Sequence, residues 1–140
     1  MFFGTYRHNL DHKGRMVVPA KFRPVLGNLA YIMRGFEGAL EVYHPSAFEK
    51  LLSELEELRF TERSARDYMR ARLASVVEVE VDDHGRITLP TKVLETFKIG
   101  TAVVIIGVQH HFEIWDATAW ETYQERVNAH LEEVADRLYE

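Results

Sequence analysis

The chain has 140 residues, of which 46% are hydrophobic and 28% are charged, and it contains no cysteine. This length suffices for a buried core, and the lack of cysteine excludes a disulfide framework, a thiolate metal site and a thiol nucleophile. The formal net charge of -5 argues at first against a nucleic-acid partner, because proteins that bind nucleic acids usually carry a basic surface.

The first half of the chain is predicted to be mostly β. The predicted strands are residues 5–10, 15–18, 30–33 and 39–43. The turn His12-Lys13-Gly14 joins the first two strands, since glycine adopts positive φ without steric cost. Pro19 suits the first position of a short helix over residues 20–23, which ends near Pro24 or Gly27.

Two helices are predicted between the halves. Ser46-Ala47-Phe48-Glu49 has the spacing of a capping box, in which the hydroxyl and the carboxylate satisfy backbone donors at a helix start. The helix continues through apolar residues at helical spacing, namely Phe48, Leu51, Leu52, Leu55 and Leu58. A second helix is predicted over residues 61–74. Its expected buried residues are Ala65, Tyr68, Met69 and Leu73.

The second half repeats the β pattern and ends in a helix. The predicted elements are strands at 76–81, 86–89, 102–107 and 111–115 and a short helix at 90–97. Thr118 to Glu121 is another capping-box spacing. Apolar residues then follow at steps of three and four, namely Trp120, Tyr123, Val127, Leu131, Val134 and Leu138. Such a stripe forms either intramolecular core or a subunit contact.

The two halves share a sequence motif. The segment Asp11-His12-Lys13-Gly14-Arg15-Met16-Val17-Val18-Pro19-Ala20-Lys21 returns as Asp82-Asp83-His84-Gly85-Arg86-Ile87-Thr88-Leu89-Pro90-Thr91-Lys92. Asp, Gly, Arg, Pro and Lys recur in register. Glu41-Val42-Tyr43 aligns with Glu113-Ile114-Trp115 if one residue is inserted between the halves. The repeat therefore covers a whole ββαββ unit, and the chain is predicted to be one compact unit of two pseudo-symmetric halves.

These motifs resemble those of a known family. An Asp-x-x-Gly-Arg turn between short strands, followed by an apolar-x-Pro step and a short helix, resembles the SpoVT/AbrB class of swapped-hairpin DNA-binding domains. Two copies in a chain of this length resemble the MraZ family of transcriptional regulators. The matching residues are Phe3-Gly4, Asn9-Leu10-Asp11, Gly14-Arg15, Glu41-Val42-Tyr43, Val108 and Glu113-Ile114-Trp115-Asp116.

The resemblance implies a fold and a domain division. The expected fold is α+β, with two pseudo-symmetric ββαββ repeats that form an interlocked double-split β-barrel. The expected parts are repeat one at 5–47, a helical connector at 48–75, repeat two at 76–119 and a C-terminal helix at 120–140.

The resemblance also implies a function. It implies a bacterial repressor, not an enzyme, that acts on the division and cell-wall gene cluster and binds short direct repeats in a promoter as a ring-like homo-oligomer. No cofactor, metal ion or small-molecule substrate is expected. The N-terminus lacks the apolar core of a signal peptide, and no stretch approaches the roughly 20 apolar residues of a membrane span. We therefore expect a cytoplasmic, nucleoid-associated protein without a membrane partner.

The paired turns are the expected DNA contacts. The resemblance carries this role to Asp11 with Arg15 and to Asp82 with Arg86. Arginine can donate two hydrogen bonds to guanine O6 and N7 or grip a phosphate, and an aspartate four positions earlier could fix its rotamer. Gly14 and Gly85 would let each turn close and keep side-chain bulk away from an approaching backbone. The alternative is that each Asp–Arg pair only clasps its hairpin.

The charges are unevenly distributed, which permits a basic face on an acidic molecule. In residues 1–23 the basic side chains Arg7, Lys13, Arg15, Lys21 and Arg23 outnumber the single acid Asp11, whereas the tail from Glu113 to Glu140 is acidic. Arg7, Lys13, Lys21 and Arg23 are candidates for phosphate neutralisation.

The two copies differ in their basic residues. Family members often carry a basic residue in the second short helix, matching Arg23 of the first, but this chain has Leu94 there. Because Arg86 has Asp83 beside it and Leu94 behind it, we expect Arg15 to matter more for DNA binding.

Three other functions are open at this point. An antitoxin-like protein of the same class would bind a toxin through its C-terminal helix, and an oligomeric scaffold would use the turns for assembly alone. A metallohydrolase would use His110-His111-Phe112-Glu113 with Asp116. Strand alternation places His111 and Glu113 on one face and His110 on the other, so three converging ligands would require a residue from elsewhere.

Overall fold

The computed structural model describes residues 1–139, which form eight strands and six helices. The strands are β1 (Thr5–Asn9), β2 (Arg15–Val17), β3 (Leu29–Arg34), β4 (Leu40–Tyr43), β5 (Val77–Glu80), β6 (Arg86–Thr88), β7 (Ala102–Val108) and β8 (His111–Asp116). The helices are α1 (Arg23–Leu26), α2 (Pro45–Glu56), α3 (Arg63–Leu73), α4 (Thr91–Thr96), α5 (Ala117–Ala129) and α6 (Leu131–Leu138). The α+β class is confirmed.

The strands of the two halves interlock. A six-stranded sheet has the order β1-β7-β8-β4-β3-β5, and a separate two-stranded ribbon pairs β2 with β6. All these pairings are antiparallel. The first strand of each half thus pairs with the third strand of the other half, and the second strands pair with each other. Strands β1 and β5 are the two edges of the larger sheet. Closure of a barrel and the domain boundaries stay predictions.

The register shows the pseudo-symmetry of the halves. In the ribbon, Met16 lies opposite Ile87, and in the large sheet Glu41 lies opposite Glu113. Both pairs join equivalent positions of the two repeats. The local two-fold axis of the fold therefore passes through both pairs.

The main core lies between the ribbon and the large sheet. Met16 and Ile87 of the ribbon are fully buried, and the aromatic rings of Phe2, Phe22 and Phe112 pack together with centroid distances of 5.0–5.4 Å. Burial of such apolar side chains is the dominant stabilising contribution to folding. Two smaller clusters lie under α2 and α5.

The first short helix begins later than expected. It covers Arg23–Leu26, whereas the expected helix at residues 20–23 was wrong. Residues 20–22 form turns instead, with Phe22 N donating to Pro19 O at 2.8 Å. Pro24 lies in the first helical turn, where its missing N–H is not needed, and Gly27 ends the helix with φ of 78°.

Both expected capping boxes were wrong, because residues at the strand ends cap the helices. His44 caps α2, with Nδ1 accepting from Ser46 N at 3.0 Å, and Pro45 takes the first helical position. Asp116 caps α5, with Oδ2 accepting from Ala119 N at 3.2 Å. Each helix therefore starts directly after its strand.

Two further expectations about the helices needed correction. On α3, Leu73 is 39% exposed, whereas Arg72 is 5% exposed and takes the buried position. The expected single C-terminal helix is two helices, α5 and α6, that meet at His130. The expected helix ended at Glu140, which lies outside the described residues.

Candidate DNA-binding ribbon

The first turn is organised by Asp11. Its Oδ1 accepts from the backbone N–H groups of Lys13 and Arg15, both at 2.9 Å, and its Oδ2 accepts from Arg15 Nε at 2.5 Å. Backbone hydrogen bonds from Gly14 N to Asp11 O and from Asp11 N to Arg15 O close the turn at 3.0 Å each. One carboxylate therefore fixes both the turn and the rotamer of Arg15.

Asp82 organises the second turn in the same way. Its Oδ1 accepts from the backbone N–H groups of His84 and Arg86 at 2.9 Å, and its Oδ2 accepts from Arg86 Nε at 2.9 Å. In both turns, backbone hydrogen bonds from the arginine are the main cause that lowers the pKa of the aspartate, to about 2 for Asp11. Both carboxylates are therefore ionised at neutral pH and stay acceptors for the arginines.

The ribbon β2–β6 brings both arginines to one surface. Arg15 pairs with Thr88 and Val17 pairs with Arg86, while Met16 and Ile87 between them face the core. Because directly paired residues share a face, Arg15 and Arg86 are diagonal neighbours on the solvent side, about 8 Å apart between Cα atoms. Each guanidinium-bearing side chain is 27% exposed.

The two glycines hold the turns against the opposite repeat. Gly14 and Gly85 have φ of 76° and 73°, which favours glycine at both positions. Gly14 O accepts from Leu89 N at 2.9 Å, and Gly85 O accepts from Val18 N at 2.8 Å. The backbone that approaches each glycine therefore belongs to the other half of this chain.

The exchange of hairpins changes which turn each short helix packs on. Arg23 packs on Gly85, so that a Cβ built there would lie 2.6 Å from Arg23 Nε, and this Nε donates to Val18 O at 2.9 Å. Its counterpart Leu94 lies 3.6 Å from the corresponding Cβ position of Gly14. The expectation that Leu94 lies behind Arg86 was wrong, because the short helix of each repeat packs on the turn of the other. The basic residue supports the second turn.

The other basic candidates are dispersed. Lys13 and Lys21 are exposed, in the first turn and in the segment before α1. Arg7 faces α5 and pairs with Glu121, with 58% of its side chain exposed. Burial is the main cause that lowers the pKa of His8, and the positive charge of the nearby Arg23 lowers it further. The structure therefore groups Arg15, Arg86 and Arg23 around the ribbon but does not bring Arg7 there.

One polar cluster was missed by the sequence reasoning. Arg72 Nη2 donates to Glu41 Oε1 at 2.6 Å, and both side chains are almost fully buried, at 6% and 5% exposure. Tyr43 OH donates to the same oxygen at 2.7 Å, and burial is the main cause that raises the pKa of Tyr43. The repeated Glu41 and Glu113 in apolar strands were a usable signal. Arg72 gave none, because arginine at that helical position is typical of a solvent-exposed face.

Among residues 1–139, no helix combines the length and the apolar character needed to cross a membrane.

The two-repeat geometry agrees with the family to which the chain is similar. Residues 1–71 and 73–140 match the family model described as "MraZ protein, putative antitoxin-like".

Relatives named transcriptional regulator MraZ match over nearly the whole chain. The relative from Lactiplantibacillus plantarum is 36% identical and covers 99% of this chain and 98% of its own length. The relative from Thermoanaerobacter pseudethanolicus is 38% identical, with 100% and 98% coverage. The relative from Mesoplasma florum is also 38% identical, with 100% and 97% coverage. With a family match in both repeats and relatives of full length, this chain belongs to the MraZ family.

Proposed function

We propose that this protein is a sequence-specific DNA-binding repressor rather than an enzyme. The observation that carries the proposal is the β2–β6 ribbon, which presents Arg15 and Arg86 on one face. A two-stranded antiparallel ribbon has the width to enter the major groove of B-DNA, and arginine there can recognise guanine through two hydrogen bonds. The family membership and the names of its relatives support this function.

The held arginines favour base recognition over a purely structural role. Asp11 and Asp82 bond each arginine through Nε, which leaves the terminal Nη groups for a base or a phosphate. A side chain whose rotamer is already fixed loses less conformational entropy on binding. The paired turns are thus preorganised for recognition.

Phosphate contacts supply the remaining affinity in this proposal. Lys13 lies within the first turn, and Arg23 lies against the second turn through its contact with Gly85. Each end of the ribbon therefore carries a positive charge besides its own Asp–Arg pair. Such contacts are independent of sequence and weaken as the salt concentration rises.

Binding by an assembly would offset the acidic net charge, which opposes DNA binding by a single copy. We propose a ring-like homo-oligomer in which each copy offers one ribbon, so that modest contacts to successive direct repeats add through effective concentration. The exposed apolar side chains of α6, Leu131 at 56% and Leu138 at 77%, support self-association. The proposed target is the promoter of the division and cell-wall gene cluster, and the proposed location is the cytoplasm, at the nucleoid.

A mobility-shift titration on DNA upstream of the protein's own gene tests the proposal. Arg15→Ala and Arg86→Ala should each weaken specific binding about 5- to 150-fold, which corresponds to the loss of one bidentate base contact of about 1–3 kcal/mol. Arg63→Ala is the matched control, because the Arg63 side chain is 86% exposed on α3 and its substitution removes the same charge. Arg15→Lys should restore non-specific binding but not specificity.

The same titration separates the alternatives. Equal binding by the wild type, both alanine variants and Arg63→Ala would contradict the proposal. If the double variant Arg15→Ala plus Arg86→Ala formed normal oligomers with unchanged DNA affinity, the scaffold function would be favoured.

An antitoxin function is the second candidate, because the matched family is described as antitoxin-like and α6 has an exposed apolar face. A small protein that co-purifies with the wild type, and is lost with Leu138→Ser, would support it.

A further inference from the structure

Three potential ligand side chains meet where the two repeats join in the large sheet. Glu41 of β4 lies directly opposite Glu113 of β8, and His111 precedes Glu113 by two residues on the same strand face. Glu41 is thus the residue from elsewhere that a three-ligand site requires. One ligand atom from each of the three lies within 4.8 Å of those of the other two.

One nitrogen of His111 lies near one oxygen of each carboxylate. His111 Nε2 is 3.9 Å from Glu41 Oε2 and 3.9 Å from Glu113 Oε2. This nitrogen is buried and has no hydrogen-bond partner among residues 1–139. A buried polar atom without a partner is costly, and each such atom in a native fold calls for an explanation such as a bound ion.

The opposite oxygens of both carboxylates are already bonded. Arg72 and Tyr43 hold Glu41 Oε1 at 2.6 and 2.7 Å, and Trp115 Nε1 holds Glu113 Oε1 at 3.0 Å. Outer partners of this kind orient ligands in metal sites and leave the inner atoms for the ion. Asp116, which follows this group closely in the sequence, instead caps α5 and bonds Gly100 N.

Charge and access also favour a cation. The cluster holds two carboxylates and one guanidinium, so its acidic side chains outnumber its arginine. His111 and Glu113 side chains are 17% and 19% exposed, whereas Glu41 is 5% exposed. A groove of about 370 Å³, lined in part by Tyr43, His110 and His111, opens to solvent beside the cluster.

The geometry points to a divalent metal site formed by Glu41, His111 and Glu113, with Zn²⁺ as the fitting ion. A mixed imidazole and carboxylate set suits zinc, which binds such atoms at about 2.0–2.2 Å. Donors of a tetrahedral site lie roughly 3.4 Å apart, so small rotations of the two carboxylates would draw the atoms into place. Water would fill the fourth position.

The site would act as a structural link. Glu41 belongs to the first repeat, whereas His111 and Glu113 belong to the second, so the ion would tie β4 to β8. A ligand that binds only the folded chain raises its stability by mass action. This role is independent of the proposed DNA contacts, which lie on the ribbon.

Isothermal titration of the untagged full chain with zinc chloride, without DNA, tests the inference. We expect one ion per chain and binding that weakens at least tenfold in His111→Ala and in Glu113→Gln. His110→Ala is the matched control, because His110 is the neighbouring exposed histidine. The affinity of this variant for zinc should stay within about twofold of that of the wild type.

Two further measurements keep the result interpretable if a variant is destabilised. The wild type should unfold at a higher temperature with zinc than with EDTA, and this difference should vanish in Glu113→Gln. Cobalt substitution should give a visible absorption spectrum of a tetrahedral site in the wild type and in His110→Ala. No zinc binding by the wild type, or binding lost in His110→Ala but kept in His111→Ala, would overturn the inference.

Discussion

Asp11 combines two tasks in one carboxylate, since it accepts from the turn backbone with one oxygen and from Arg15 with the other. Asp82 does the same for Arg86. The repeated spacing in the sequence was enough to predict both pairs. The spacing did not reveal that backbone N–H groups contribute most to the lowered pKa of each aspartate, because an Asp–Arg motif indicates only a side-chain contact.

The lowered pKa of Asp11 predicts a pH-dependent stability. The folded-state pKa of about 2 lies below the ordinary value of 3.8, so this carboxylate stabilises the fold above pH 4, and the contribution is lost as the pH falls to about 2. Thermal unfolding of wild type and Asp11→Asn between pH 5 and 2 should therefore show a gap in midpoint that closes toward pH 2. Asp82→Asn should behave similarly, since the pKa of Asp82 is lowered by the same contacts. A gap that stays constant with pH would contradict the argument.

At the scale of elements, the ribbon depends on contacts that cross between the repeats. Each glycine turn accepts a backbone hydrogen bond from the strand end of the other repeat, and each short helix packs on the opposite turn. Local patterns predicted the strands and turns well. They could not predict that Leu94 lies near Gly14 and Arg23 near Gly85, because that pairing depends on the exchange of hairpins over a long sequence separation.

Alanine substitutions at three glycines should rank by what the new methyl group meets. Gly14, Gly85 and Gly38 all have positive φ, so each alanine carries a backbone cost of about 1–2 kcal/mol. At Gly38 nothing lies within 4 Å of the new Cβ; at Gly85 it meets the flexible Arg23; at Gly14 it lies 2.7 Å from the backbone oxygen of Leu89. Urea unfolding should give the smallest loss for Gly38→Ala and the largest for Gly14→Ala. An equal loss at all three positions would show that only φ matters.

Helix ends illustrate a different limit of sequence reasoning. Ser46 and Glu49 have the spacing of a capping box, but His44 and Pro45 start α2 two residues earlier. A three-residue spacing does not determine the first helical residue when a competing cap lies just upstream.

The burial of Arg72 could not be predicted from local sequence, because its partner Glu41 is on a distant strand.

At the scale of the whole molecule, the C-terminal helices divide into a packed part and an exposed part. Trp120 and Tyr123 of α5 pack on Trp115, with ring centroids 5.1 and 4.8 Å away. Leu131 and Leu138 of α6 are 56% and 77% exposed. The first turns of the apolar stripe thus pack as core, and its last turns leave an exposed surface.

Leu131→Ser plus Leu138→Ser should reduce the size of the assembly without unfolding the chain. Exposed apolar side chains contribute little to the stability of an isolated chain but favour association. Light scattering coupled to size exclusion should give a mass well above the 16.3 kDa chain for the wild type and a smaller mass for the double variant. Leu58→Ser, at an apolar site that is 40% exposed elsewhere, should keep the wild-type mass. A monomeric wild type, or an unchanged double variant, would contradict the proposed ring.

The pairing of β1 with β7 has a consequence for synthesis of the chain. Thr5–Asn9 leaves the ribosome early, yet its partner Ala102–Val108 is translated only after both helices of the connector. The first strand made is therefore among the last to find its partner. Until then β1 lacks its partner strand, and its unpaired edge is open to β7 of another copy.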